Sequence, residues 1–229
     1  MKHIFTGDRS AETVLIQPVS EDEAGSLELE FAEISRLSCA ESLCLAAVVI
    51  DDWDLDLSPW EAPAVFGKRP FGGGAGKTLT YITQTLVPQL TENGKTSKEL
   101  YVGGYSLAGL FALWAVYESD LFKGAAAVSP SVWFPGFTEF AEANRLLAKR
   151  MYLSLGDKEE KARNPVMASV GDAIRKLDAL YSGLGTEHIL EWNAGNHFKE
   201  PELRTAKGFA WLLRKSAGNR AEDQKGAPL

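Results

Sequence analysis

Short continuous apolar runs recur along the chain and alternate with longer stretches in which apolar residues have helical spacing. The clearest run is Leu43–Ile50 (LCLAAVVI), which ends abruptly at Asp51 and Asp52. A continuous run of this length is typical of a strand that is buried on both faces of a parallel sheet. We therefore predict strands over Thr13–Ser20, Leu43–Ile50, Glu99–Gly104, Gly124–Val128, Met151–Leu155 and His188–Trp192.

The stretches between these runs have the apolar periodicity of helices. We predict helices over Ser26–Leu37, Thr78–Thr91, Leu107–Glu118, Val166–Leu180 and Glu202–Lys215. Strands that alternate with helices in this way indicate an α/β fold, in which helices cover both faces of an open, mostly parallel central sheet as a three-layer α/β/α sandwich. In such sheets, ligands bind beyond the carboxyl ends of the strands.

The length of the chain favours a single compact domain, because 229 residues lie within the range that one α/β domain covers. We expect this domain to span residues 1–215. The segment after Lys215 (SAGNRAEDQKGAPL) is polar and lacks periodicity, so residues 216–229 are predicted to form a loose tail without chemical function.

Charge and hydropathy argue against several classes of partner. The chain has 24 Lys and Arg residues against 31 Asp and Glu residues, and it lacks the clustered excess of basic residues that nucleic-acid binding requires. It also lacks a leader-like apolar segment and any apolar run of the roughly 20 residues that cross a membrane. We therefore expect a soluble, cytoplasmic protein. Cys39 and Cys44 have no zinc-ligand spacing around them, so we predict buried free thiols and no metal site.

One serine has the sequence context of a catalytic nucleophile. Ser106 lies between an apolar strand and a predicted helix, in Gly104-Tyr105-Ser106-Leu107-Ala108. In a nucleophile elbow the residues two before and two after the serine must be small, which Gly104 and Ala108 satisfy, although the strict pattern has glycine at the second position. The backbone N–H of Leu107 is then placed to stabilise an oxyanion. Serine is also a favoured N-cap residue, but small residues on both sides favour the catalytic interpretation.

Three histidines are available as a general base. His3 lies at the terminus, and His188 lies within a predicted strand, where packing is the simpler interpretation. His197 follows the last predicted strand in a Gly- and Asn-rich loop (NAGNHF). A loop at the carboxyl end of a strand can bring an imidazole to the serine, so we predict His197 as the general base.

A carboxylate that orients the histidine is expected between these two residues in the chain. The strand Met151–Leu155 is followed by GDKEE, which offers Asp157, Glu159 and Glu160. A carboxylate in an exposed loop is ordinarily a solvated charge, and at most one of the three is the acid of a triad. The resulting order of serine, acid and histidine is that of the α/β-hydrolase fold.

Six segments carry a likeness to known proteins, and they cover most of the chain from about Val48 to Trp211. They are VVIDDWDLDLSPW, FGGGAGKTL, GGYSLAGLFALW, AAVSPSVWF, YLSLGDKEE and GNHF. In these segments the chain resembles the Putative esterase family, which includes enterochelin-esterase-like and esterase-D-like enzymes. The resemblance implies the α/β-hydrolase fold and a serine esterase without a cofactor. Its substrates would be small acyl esters, siderophore lactones, or feruloyl and S-formylglutathione esters.

The resemblance to α/β hydrolases also implies which residues provide the acid and the second oxyanion donor. Hydrolases of this fold commonly carry the acid three residues after the glycine that ends its strand, which implies Glu159, with Asp157 as the rival. A second oxyanion donor is expected among the backbone N–H groups of Asp51, Asp52 and Trp53, with Asp52 and Trp53 preferred.

Three tryptophans follow the ends of predicted strands and are candidates for an aromatic wall against the substrate. They are Trp53, Trp60 and Trp133, of which we favour Trp53 and Trp133 for substrate binding. Tryptophan is usually well buried, so simple packing is the alternative for each of them.

The segment Phe71–Thr78 (FGGGAGKT) suggests a different function, because it ends like a phosphate-binding P-loop. That motif requires glycine five positions before Gly76, where this chain has Phe71, and a strand directly before the loop, where Pro63–Pro70 is interrupted by prolines and a glycine. We therefore interpret the segment as a flexible loop that enters a helix. A last alternative is a hydrolase-fold protein that only binds its ligand, which the presence of a serine, a histidine and candidate acids argues against.

Overall fold

A seven-stranded sheet forms the centre of the computed structural model, which describes residues 1–65, 67–90 and 98–214. In this part of the chain the strands are β1 (Lys2–Gly7), β2 (Thr13–Val19), β3 (Cys44–Val49), β4 (Glu61–Ala62), β5 (Phe71–Gly72), β6 (Glu99–Tyr105), β7 (Phe122–Val128), β8 (Arg150–Gly156) and β9 (Glu187–Asn193). The sheet order is β1-β3-β2-β6-β7-β8-β9, and β4 pairs with β5 as a separate two-stranded hairpin. All neighbours in the large sheet are parallel except the edge strand β1, which runs antiparallel to β3.

Helices connect the strands over the described residues. They are α1 (Leu27–Ser38), α2 (Trp53–Asp56), α3 (Ala75–Tyr81), α4 (Leu107–Glu118), α5 (Phe137–Ala143), α6 (Pro165–Ala168), α7 (Val170–Gly183) and α8 (Pro201–Leu212). The helix α3 continues as a π-helical turn over Ile82–Leu86 and a 3₁₀ turn over Val87–Leu90. Further 3₁₀ turns lie at Glu23–Ser26 and Glu159–Lys161.

The alternation of side chains along the strands produces two apolar layers. In β3, Leu45, Ala47 and Val49 pack with α1 and α8 on one face, whereas Cys44, Ala46 and Val48 face the layer that contains α4 and α7. Every residue of β3 is buried, since both faces are covered. This arrangement explains the continuous apolar run and confirms the predicted α/β sandwich with a mostly parallel sheet.

The six predicted strands and the long helix after Ser106 are confirmed, with ends that shift by one or two residues. Two predicted helices differ from the observed ones. The helix predicted from Thr78 begins at Ala75, and the one predicted over Val166–Leu180 is divided into α6 and α7, because Asn164 caps a separate first turn at Pro165. The edge strand β1 and the hairpin of β4 and β5 were not predicted, since each is too short or too exposed for an apolar run.

Three other sequence predictions concern the tail, the thiols and the membrane. The predicted loose tail 216–229 lies outside the described residues. Cys44 is buried as predicted, but Cys39, the residue after the last turn of α1, is exposed and has a left-handed conformation (φ 54°). No described helix is long and apolar enough to cross a membrane.

Candidate active site

The turn between β6 and α4 holds Ser106 in a strained conformation at the carboxyl edge of the sheet. Its backbone has φ 58° and ψ −120°, a left-handed value that non-glycine residues seldom adopt. The close approach of strand and helix explains the small neighbours: a Cβ atom on Gly104 would lie 2.6 Å from the Cβ of Ala108. The Ser106 N–H donates to the Val128 carbonyl at 3.0 Å, which fixes the turn against β7.

A continuous path of hydrogen bonds connects Ser106, His197 and Glu159. Ser106 Oγ lies 3.0 Å from His197 Nε2, and His197 Nδ1 lies 2.6 Å from Glu159 Oε2. An ionised carboxylate can only accept, so His197 Nδ1 carries the proton in this pair. In the neutral ring Nε2 then accepts the hydrogen bond of the Ser106 hydroxyl. This is the geometry that a histidine needs to remove a proton from serine.

The environment of Glu159 stabilises its ionised form. Burial raises the pKa of this carboxyl, but hydrogen bonds from His197 and Ser129, the charge of His197 and the N–H of Gly156 together lower the pKa below its ordinary value. Ser129 Oγ and Gly156 N both donate to Oε1 at 2.7 Å. Gly156 must lack a side chain here, because a Cβ atom would lie 2.9 Å from Glu159 Oε1.

The rival carboxylate, Asp157, has a different position. Its Oδ1 accepts the N–H of Gly195 at 2.7 Å, and its own N–H donates to the Asn193 carbonyl at 2.8 Å. The Lys158 N–H donates to the Gly195 carbonyl at 3.1 Å. Asp157 therefore ties the loop that carries Glu159 to the loop that carries His197, and Glu159 is the carboxylate that contacts the imidazole.

Arg204 and Tyr105, which were not predicted as site residues, support the histidine loop, the loop that carries His197. Arg204 is 2% exposed, and its Nη1 lies 3.3 Å from the hydroxyl of Tyr105 and 3.4 Å from Ser129 Oγ. Tyr105 in turn donates to the backbone carbonyl of His197 at 2.7 Å. One feature of the sequence indicates a special role for Arg204. It lies four residues before Gly208, on the buried face of α8, where an apolar residue is expected.

The other two histidines form bonds elsewhere in the fold. His3 Nδ1 lies 2.8 Å from the hydroxyl of Tyr81, and His188 Nε2 lies 3.2 Å from Ser182 Oγ. Neither of them lines the cavity around Ser106. Across residues 1–65, 67–90 and 98–214, no group of three or more His, Cys, Asp or Glu side chains is arranged to hold a metal ion.

A cavity of about 870 Å³ opens above Ser106 and His197. Trp53 and Trp133 line it, and their contact with a substrate stays a prediction. Trp60 does not; its indole N–H donates to the Pro135 carbonyl at 3.0 Å, and its ring packs against Phe134. The size of the cavity matches a small-molecule site.

The candidate oxyanion donors differ in what their N–H groups contact. Leu107 and Trp53 are the first residues of α4 and α2, so helix geometry leaves their N–H groups without an intrahelical acceptor, and both residues line the cavity. The Asp52 N–H instead donates to Asp56 Oδ2 at 3.2 Å. The Asp51 carboxylate pairs with the N-terminal amine at 2.7 Å.

The glycine-rich segment after β4 is an ordered turn rather than the flexible loop that the sequence suggests. The N–H groups of Gly73 and Gly74 donate to Ser58 Oγ at 2.8 Å and to the Leu55 carbonyl at 2.7 Å. A Cβ atom on Gly74 would lie 2.7 Å from the same Leu55 carbonyl. Gly74 therefore allows close packing against α2, and the N–H groups of Gly73 and Gly74 do not form a phosphate cradle.

The profile of the family described as Putative esterase matches residues 38–187. The chain belongs to the Putative esterase family. The part matched by the Putative esterase profile includes Ser106 and Glu159 and ends before His197. By its family the protein is a serine esterase. No curated protein matches the chain.

Solved structures with the same fold have low sequence identity to this member of the Putative esterase family. An IroE-like serine hydrolase from Shewanella oneidensis has a TM-score of 0.75 at 15% identity, over 98% of this chain and 81% of that chain. The siderophore hydrolase EstA from Aspergillus nidulans has a TM-score of 0.67 at 19% identity, over 89% and 82%. The enterobactin esterase FES from Shigella flexneri has a TM-score of 0.60 at 13% identity, over 93% and 59%. These similarities support the hydrolase fold.

Proposed function

We propose that the protein hydrolyses a small carboxylic ester, lactone or thioester through a Ser106–His197–Glu159 triad. The observation that carries this proposal is the hydrogen-bonded path from the strained Ser106 to the buried Glu159. Its two distances are 3.0 Å from Ser106 Oγ to His197 Nε2 and 2.6 Å from His197 Nδ1 to Glu159 Oε2. The path opens onto a cavity large enough for a small-molecule ester. The siderophore hydrolases among the structural neighbours suggest lactones as one substrate class to test.

In the proposed mechanism, His197 Nε2 takes the proton of Ser106 Oγ as the oxygen attacks the ester carbonyl. The N–H groups of Leu107 and Trp53 stabilise the oxyanion of the tetrahedral intermediate. The C–O bond to the alcohol then breaks, and His197 gives its proton to the leaving oxygen. His197 then accepts a proton from water as the water oxygen attacks the acyl-enzyme, and it returns this proton to Ser106 Oγ as the acyl–Oγ bond breaks and the acid leaves. Glu159 stabilises the imidazolium in both halves of the reaction.

The test is hydrolysis of p-nitrophenyl esters from acetate to octanoate by the wild-type protein and by Ser106→Ala. We expect the variant to lose activity by about 10⁴-fold or more while it remains folded. Ser131→Ala is the matched control, because Ser131 Oγ lies only 3.4 Å from Ser106 Oγ and also lines the cavity. A Ser106→Ala protein with wild-type turnover would refute the nucleophile.

The two alternatives are a hydrolase-fold protein that binds without turnover and a nucleotide-binding protein. A fluorophosphonate that labels the wild-type protein and Ser131→Ala, but not Ser106→Ala, would exclude the first. The hydrogen bonds of Gly73 and Gly74 within the protein argue against the second, and binding of Mg-ATP would contradict that argument.

A further inference from the structure

Three cationic side chains line the cavity above Ser106. Lys158, Lys161 and Arg163 all belong to the segment between β8 and α6, and all three are exposed. Within the part of the chain that the structure describes, none of their side chains forms a hydrogen bond or an ion pair with another protein group. Such a concentration of unpaired positive charge is unexpected in a chain with a net charge of −7.

The carboxylates nearby are already engaged. Glu160 pairs with Arg175 at 2.8 Å, Asp157 accepts the Gly195 N–H, and Glu159 binds His197. Asp54 is the other carboxylate that lines the cavity, and it belongs to α2, at the Trp53 wall. Burial raises the pKa of the Asp54 carboxyl, while the charge of Arg69 lowers it.

The position of the cations relative to the triad indicates which part of a substrate they face. Lys158 and Lys161 flank Glu159 in the chain, and the carboxylate of Glu159 contacts His197. In the proposed mechanism His197 protonates the leaving alcohol, whereas the oxyanion donors Leu107 and Trp53 begin α4 and α2, outside the segment that carries the cations. Because the cationic segment also carries Glu159, the partner of His197, it is assigned to the side of the alcohol portion of the ester.

We infer that the enzyme prefers esters whose alcohol portion carries an anionic group, a carboxylate or a phosphate, which Lys158, Lys161 and Arg163 bind. This inference rests on the proposed esterase function. An anionic group in the cavity gains Coulomb attraction from three cations, which outnumber the two carboxylates that line the same cavity, Asp54 and Glu159. Arg163 can also bind either group through two parallel N–H donors.

The experiment compares 4-acetoxybenzoate with 4-acetoxybenzamide, which share the acetyl group and differ in the charge of the alcohol portion. We expect the wild-type kcat/KM to be about tenfold higher for the anionic ester at low ionic strength, mainly through KM, and the preference to fall as salt is added. The variant with Lys158→Gln, Lys161→Gln and Arg163→Gln should lose this preference and keep its rate on the neutral ester. The control for net charge is a triple variant with Lys123→Gln, Arg145→Gln and Lys149→Gln, because these three residues are exposed near the starts of β7 and β8, at the opposite end of the sheet.

A second pair, p-nitrophenyl hemisuccinate and p-nitrophenyl butyrate, places the charge on the acyl portion. No preference for the anionic member is expected there. The inference is overturned if the enzyme hydrolyses both neutral esters but shows no charge preference with the acetoxy pair, or if the triple variant keeps that preference. Failure of the proposed function has a separate signature, since then none of the four esters is hydrolysed in a Ser106-dependent way.

Discussion

Arg204 Nη1 lies 3.5 Å from Glu159 Oε1, the carboxylate oxygen that does not contact His197. Both side chains are almost fully buried, with 3% and 5% of their surfaces exposed. The carboxylate thus lies between a guanidinium and an imidazole. A buried guanidinium needs an anionic partner, which Glu159 provides for Arg204. Through its contact with Tyr105, Arg204 also supports the backbone of His197.

Arg204→Met should therefore lower both stability and activity. Removal of one member of a buried ion pair costs about 3–5 kcal/mol in the free energy of unfolding. A displaced histidine loop should reduce kcat by about 10- to 100-fold with a smaller change in KM. Urea denaturation and p-nitrophenyl acetate kinetics measure the two effects. Arg204→Lys keeps the charge and should recover part of kcat; a Met variant with wild-type kcat would show that Arg204 has no positioning role.

The two candidate acids can be separated by a matched pair of amide substitutions. Glu159→Gln should reduce kcat by about 10⁴-fold, because the amide favours the wrong tautomer of His197 and cannot stabilise its charged form. Asp157→Asn should cost less than about tenfold, because the Asn side-chain oxygen still accepts the Gly195 N–H. Steady-state kinetics on one ester decide between them. The reverse ranking would make Asp157 the acid.

The nucleophile turn should not accept a side chain at Gly104. In Gly104→Ala the new Cβ atom would lie 2.6 Å from the Cβ of Ala108, so strand and helix must separate. We expect a loss of about 1–3 kcal/mol in stability and a larger fall in kcat, since Ser106 moves with the turn. Gly183→Ala is the control: nothing lies within 4 Å of its added Cβ at the end of α7, and it should raise stability by about 0.4–1 kcal/mol. Equal thermal and kinetic behaviour of the two variants would contradict this account.

Glu30 should make stability fall as pH rises. Burial raises the pKa of this carboxyl from 4.5 to about 8, and its Oε2 accepts a hydrogen bond of 3.4 Å from Gln17. The folded protein keeps a proton that the unfolded chain releases, so the stabilisation is complete below pH 4.5 and is lost as pH rises towards 8. The loss over this window is on the order of 4 kcal/mol.

Glu30→Gln should remove this component of the pH dependence, because an amide does not titrate. Urea denaturation at several values between pH 5 and pH 8 would show a flatter profile for the variant. Glu28→Gln, which changes an exposed residue of the same helix, should retain the wild-type slope. A Glu30→Gln protein with an unchanged slope would assign the pH dependence to other groups.

Local sequence patterns predicted the central strands and the turn at Ser106, because each depends on residues close together in the chain. The run Leu43–Ile50 indicated a strand with two buried faces, and the small residues Gly104 and Ala108 indicated the sharp turn. The contact between Glu159 and His197 could not be obtained in this way. It depends on how the loops after β8 and β9 meet in space. The local sequence does not distinguish Asp157 from Glu159, because both are acidic residues in the same loop.

The support provided by Arg204 and the packing of the glycine-rich turn were hidden for a related reason. Arg204 contacts residues that lie 75 and 99 positions away in the chain, and no local pattern encodes such pairs. The glycines after Phe71 matched a phosphate-binding loop in part, but close approach to Leu55 explains Gly72 and Gly74. In both cases the residue type reflects a tertiary contact rather than its sequence neighbours.

The loops after β8 and β9 are joined by two main-chain hydrogen bonds, from Asp157 to Asn193 and from Lys158 to Gly195, and by the Asp157 carboxylate, which accepts the Gly195 N–H. Most of these bonds do not depend on which side chains project into the cavity. Lys158 and Phe198, which is 84% exposed, can therefore each be replaced by another residue with little effect on the positions of Glu159 and His197. Selection, or directed evolution in the laboratory, can in this way change what the enzyme recognises while the reactive geometry is inherited unchanged.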